Sequence, residues 1–89
     1  MPSPRRFTRR ANTQIRKRIK KGKIWIVPNG QYLVAQDNSG SGLDVFWNGQ
    51  LLVPGVGADY QEYGRPGGRS SRIKFNINID RGVISTIIY

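Results

Sequence analysis

This chain contains no cysteine and no histidine. The first absence removes disulfides as a means of holding a short polypeptide together. The second removes the usual zinc ligand sets and the commonest acid–base catalyst. Acids are scarce: five Asp and Glu stand against 15 Lys and Arg, for a formal net charge of +10. No apolar run approaches the roughly 20 residues of a membrane-spanning helix, and the amino end lacks the apolar stretch of a secretory signal. Eighty-nine residues make one domain at most. A small body without staples commonly leans on an oligomer or a larger assembly.

The charge that is present is unevenly placed. Residues 1–23 hold Arg5, Arg6, Arg9, Arg10, Arg16, Lys17, Arg18, Lys20, Lys21 and Lys23, and no acid. The rest of the chain balances Arg65, Arg69, Arg72, Lys74 and Arg81 against Asp37, Asp44, Asp59, Glu62 and Asp80. The sequence therefore predicts a basic amino-terminal arm over 1–23 and a neutral domain over 24–89. Within the arm, Ala11, Ile15 and Ile19 recur every four residues. Thr8 suits a cap and Gly22 suits a stop, so the spacing predicts a helix over Thr8–Lys21. Three apolar residues are too few to hold that helix in water, and the expectation is an arm that orders only on a partner.

The body reads as all-β, a small antiparallel β-sandwich or barrel-like fold with a basic N-terminal arm that is in part helical. Lys23–Val27 and Gln31–Ala35 flank Pro28-Asn29-Gly30, and Leu43–Trp47 and Gln50–Val53 flank Asn48-Gly49. Both Asn-Gly pairs predict hairpins, because tight hairpin turns need positive φ at their centre. Asp37–Gly42 reads as a loop, Asp59–Tyr63 as a short strand with Asp59 capping a turn, and Gly64–Ser71 as a flexible cationic loop. Arg72–Ile79 alternates, with Ile73, Phe75, Ile77 and Ile79 facing inward. Val83–Tyr89 is apolar on nearly both sides, which suits a central strand or a subunit contact.

From Leu43 onward the order of elements is distinctive. Val45-Phe46-Trp47 leads into Asn48-Gly49, then Gln50-Leu51-Leu52-Val53 and Pro54-Gly55. Asp59-Tyr60, Gly64, Arg72-Ile73-Lys74-Phe75, Arg81-Gly82-Val83-Ile84 and Tyr89 follow. This pattern, over about half of the chain, resembles a β module of tailed-bacteriophage structural proteins such as tail fibres and spikes. The resemblance implies a non-enzymatic virion protein: a head decoration or cement protein, or a tail or fibre accessory. Its implied partners are other virion proteins of the capsid or tail, with packaged nucleic acid as a second target. It would sit as an oligomer within the assembly, anchored by Arg5, Arg6, Arg9, Arg10, Arg16, Lys17, Arg18, Lys20, Lys21 and Lys23.

Two other readings start from residues. A nucleic-acid binder would place the arm on phosphates and stack bases on Trp25, Tyr32, Phe46, Trp47, Tyr60 and Tyr63. The alternative use of those aromatics is as core. Tyr60-Gln61-Glu62-Tyr63 followed by Arg69 and Arg72 resembles small microbial ribonucleases, in which a strand Glu is the base and Arg residues hold the phosphate. Those enzymes need a general acid, normally histidine, and a positioned proton donor contributes about 10²–10⁴-fold. The sequence assigns no catalytic residue, no metal ligand set and no cofactor.

Overall fold

The computed structural model describes residues 8–36 and 41–89. They form nine strands and, among the described residues, no helix. The strands are β1 (Arg9–Ile15), β2 (Ile24–Ile26), β3 (Tyr32–Leu33), β4 (Leu43–Trp47), β5 (Gln50–Leu51), β6 (Tyr60–Tyr63), β7 (Arg69–Ser70), β8 (Arg72–Phe75) and β9 (Gly82–Ile88). Three antiparallel sheets run β1-β9-β4-β5, β2-β8-β6 and β3-β7. They enclose one apolar cluster in a body of 47 × 25 × 19 Å, open and sandwich-like.

The register shows how the sheets are related. Arg9 pairs with Ile88 and Ile15 with Gly82; further along, Ile19 pairs with Ile79, and Ile24, Trp25 and Ile26 pair with Lys74, Ile73 and Arg72. Tyr32 and Leu33 then pair with Ser70 and Arg69. The two ends of the chain thus form one antiparallel ribbon. Between Ile15 and Ile19 the amino-terminal strand advances four residues while its partner advances three. That single extra residue is a bulge, which bends a ribbon and tightens its twist. Between Ile26 and Tyr32 a larger excess turns a second corner at Pro28–Gln31. Bent at these two places, the ribbon wraps the core. β4 adds to the free side of β9 and β6 to the free side of β8.

This corrects the helix expected over Thr8–Lys21. A spacing of four is also two steps of two, so Ala11 and Ile15 sit on one face of a strand as readily as on one face of a helix. β9 decides between them. It places Ile84, Thr86 and Ile88 on the core side and runs between β4 and β1, so its backbone needs a partner on each side. Ala11, Thr13 and Ile15 face inward opposite Thr86, Ile84 and Gly82, and Ile15 is almost fully buried. Residues 9–15 are therefore paired without any external partner.

The second correction concerns Pro28-Asn29-Gly30, which does not close a hairpin. β2 pairs with β8 and β3 with β7. Asn29 instead reaches across to the first sheet. Its amide donates to the carbonyls of Arg9 (2.8 Å) and Thr86 (3.3 Å), and its oxygen accepts from the buried Thr86 hydroxyl at 2.9 Å. The Asn48-Gly49 hairpin forms as expected, with φ of 50° and 84° at its two central residues. Asn48 also accepts from the Val83 amide through its side chain at 2.8 Å, and its own amide donates to the Val83 carbonyl. Gly82 lies so close to the Asn48 side chain that any Cβ there would collide with it. Asp59 behaves as expected too, accepting from the Val53 amide at 2.8 Å.

Arg69–Ser70, expected as loop, is strand β7. Ser70 organises the meeting of β6, β7 and β8: its hydroxyl donates to the Tyr63 carbonyl and accepts from the Arg72 amide. The Tyr32 hydroxyl donates to the Arg72 carbonyl and accepts from the Tyr63 amide. The predicted inward set is nearly complete, with Ile73, Phe75 and Ile79 fully buried and Ile77 packed at the margin. Val83–Tyr89 supplies the central strand β9. The Asp37–Gly40 part of the expected loop lies outside the described residues.

Two predictions follow from this packing. Deleting residues 1–15 removes a whole sheet strand and Ile15, so the shortened chain should lose cooperative thermal unfolding by circular dichroism. Burial, and secondarily Glu62, raises the pKa of the fully buried Tyr60 above its ordinary 10.0, and burial likewise raises Tyr32. A raised tyrosine pKa contributes stability that is present below about pH 10 and is lost as pH climbs toward the folded-state value. Tyr60→Phe should therefore move the alkaline unfolding midpoint to higher pH in a fluorescence titration.

Candidate functional site

After β1 the chain reads Arg16-Lys-Arg-Ile-Lys-Lys-Gly-Lys23, six cations in eight residues. This segment is the bulged crossing from the first sheet to the second, and its backbone is tied down along its length. Ile19 exchanges both backbone hydrogen bonds with Ile79 at 2.9 Å. The Lys21 amide donates to Asn78 Oδ1 at 2.8 Å and the Gly22 amide to the Phe75 carbonyl at 2.7 Å. The Lys23 carbonyl accepts from the Phe75 amide at 3.1 Å, while its amide closes a turn on the Lys20 carbonyl. Ile19 packs against the core, and the charged residues around it are all exposed. The sheet thus fixes the backbone and leaves the charges in water.

Of these six cations, only Arg18 has an acidic partner among the described residues. Its Nε donates to Asp80 at 2.7 Å, with both side chains more than half exposed. Such a surface pair contributes about 0–1 kcal/mol. Arg16, Lys17, Lys20, Lys21 and Lys23 remain unneutralised, and Arg81 is exposed beside Asp80.

The other predicted site residues part company. Arg9 acts within the fold: its Nη2 donates to the Gln31 carbonyl at 3.0 Å and its carbonyl accepts from Asn29, fastening the Pro28–Gln31 corner to β1. Arg10 stands on the outward face of β1 opposite Ile87, with Asp44 next across the sheet. Arg5 and Arg6 lie outside the described residues.

The six aromatics do not make a common platform. Tyr32 and Tyr60 are fully buried, and Trp47 packs against the core. Trp25 also packs there, its ring centroid 5.8 Å from that of Phe75. Phe46 faces outward from the first sheet and Tyr63 from the second. Glu62 lies opposite Ile73 on the inward side and accepts from the Ala35 amide at 2.8 Å, whereas Arg72 pairs with Tyr63 on the other face. The strand Glu and the Arg two positions beyond β7 thus do not converge. Glu62 borders an open apolar cavity of about 310 Å³ beside Val34, Pro54, Val56 and Pro66. Its second carboxylate oxygen is buried and has no hydrogen-bond partner among the described residues.

No protein family, no curated protein and no solved structure matches this chain.

The division between fixed backbone and free charge is testable by stability. The triple variant Lys17→Gln, Lys20→Gln, Lys21→Gln should fold with its unfolding free energy within about 0.5 kcal/mol of the parent in urea titration. Ile79→Ala, at the fully buried residue that pairs with Ile19, should cost about 2–5 kcal/mol in the same assay.

Proposed function

We propose that this chain is a non-enzymatic structural component of a bacteriophage virion, of the head-decoration, cement or tail-accessory kind. It is held in the assembly by its basic amino-terminal part. The observation that carries this reading is the segment Arg16–Lys23: five cations with no acidic partner among the described residues, displayed on backbone that the sheet already holds. A pre-ordered segment avoids most of the entropy that a floppy tail loses on docking. Its complement is an acidic protein surface, where charge steers association and fixes register. The Val45–Gly55 stretch supports the virion setting, through its resemblance to the phage module. A body of this size without disulfides supports residence in an oligomer or larger particle.

The test is made on particles rather than on the isolated chain. Purified virions from a culture that naturally expresses the gene should contain this polypeptide at a constant copy number, read by quantitative mass spectrometry. Raising the salt should release it, since exposed charge pairing weakens with ionic strength. Absence from purified particles, with the chain recovered only from the particle-free fraction, would refute the proposal.

A further inference from the structure

The outward face of the β2-β8-β6 sheet mixes cations with exposed apolar side chains. Register sets two rows across it, Ile24–Lys74–Gln61 and Ile26–Arg72–Tyr63. Ile24, Ile26 and Tyr63 are 41%, 64% and 47% exposed. Two cations therefore stand among three uncovered apolar or aromatic side chains. Among the described residues no acid stands in either row. Glu62 is turned inward beside Ile73, and Asp59 is engaged by the Val53 amide. The outward face of the first sheet differs, since Asp44 stands there two strands from Arg10.

Arg72 and Lys74 lie two residues apart on β8, about 7 Å along the strand and on the same side. The result is a pair of cations along β8 with an exposed tyrosine beside Arg72. We infer that this face binds a single-stranded nucleic acid. Phosphates contact Lys74 and Arg72, and a base stacks on the Tyr63 ring with Ile26 at the edge of the row. Single-strand binders join a cationic track to an aromatic ring in this way, because every base offers a π-face.

Charge decides against the other occupants. A second copy seated face to face would press Arg72 and Lys74 against their own kind, which is costly in an interface. An acidic polypeptide neutralises the cations but offers no flat apolar group repeated along its length to cover Tyr63 and Ile26. A single strand supplies both, and both β2 and β8 hold their geometry without it. This surface lies beyond the anchoring segment, and Tyr63 has no part in the virion proposal, so the two readings fail separately.

The experiment is fluorescence anisotropy of the full chain with labelled oligodeoxyuridylate and, in parallel, oligouridylate, titrated over a range of salt. At least one strand should bind, with a log–log salt slope of roughly −0.7 per phosphate contacted. The tighter of the two identifies the natural sugar. Tyr63→Ala should weaken binding about tenfold, in keeping with the loss of one base–aromatic stack, while Tyr63→Phe should bind like the parent. The double variant Arg72→Gln, Lys74→Gln should flatten the slope by roughly 1.4, two contacts' worth. Equal affinity of the parent and Tyr63→Ala overturns the inference. So does an unchanged slope in the double variant, failure to bind either strand, or equally tight binding of labelled polyglutamate of the same charge.

Discussion

The structure depends on antiparallel pairing between the two ends of the chain. β1 to β3 and β7 to β9 are the two edges of one ribbon, and everything between residues 34 and 68 is built onto it. These pairings join residues up to 79 positions apart, as between Arg9 and Ile88. They are favourable only once the intervening chain has closed, which makes the ribbon and the core interdependent. The single-residue bulge near Arg16–Arg18 then matters more than its size suggests. It separates a sheet that faces one side of the core from a sheet that faces another, and it turns the chain's most cationic stretch outward.

The same arrangement resolves a conflict between charge and folding. Ten cations at one end of a chain resist compaction through their mutual repulsion. Here the backbone carrying several of them takes part in the hydrogen-bond ladder, through Ile19, Lys21, Gly22 and Lys23, while the side chains stay solvated. Ile15 is buried, and Ile19 is partly buried against the core. Arg9 is the exception, spent on holding the Pro28–Gln31 corner. A segment that composition marks as a detachable tail is thereby made into a rigid edge of the body, and its remaining charge becomes a surface property.

Much of the β architecture was legible in the chain. Leu43–Trp47 emerges with the expected bounds, the Asn48-Gly49 turn has the positive φ its residues favour, and β9 takes the central place its two-sided apolar character suggested. Alternation from Ile73 to Ile79 was readable because one side of a strand must leave water. Pairing partners were not readable. Pro28-Asn29-Gly30 has hairpin chemistry, yet β2 finds β8 and β3 finds β7 because those strands close the core. Arg69–Ser70 offered no apolar pattern, and it is strand only because Tyr32 and Leu33 lie beside it.

Local chemistry alone determined the strand-forming runs, the tight turn at Asn48-Gly49, the inward residues of β8 and the separation of ten cations from a neutral remainder. Those properties depend on side chains within a few positions of one another. The conformation of Thr8–Lys21 was decided elsewhere. Ala11, Ile15 and Ile19 satisfy a period of four and a period of two alike, and only the unfilled edge of β9 favours the extended form. The cationic surface and the Ile26–Arg72–Tyr63 row were likewise decided by tertiary structure. A hydrogen-bond ladder between distant segments chooses which residues share a face, and no window of neighbouring residues contains that information.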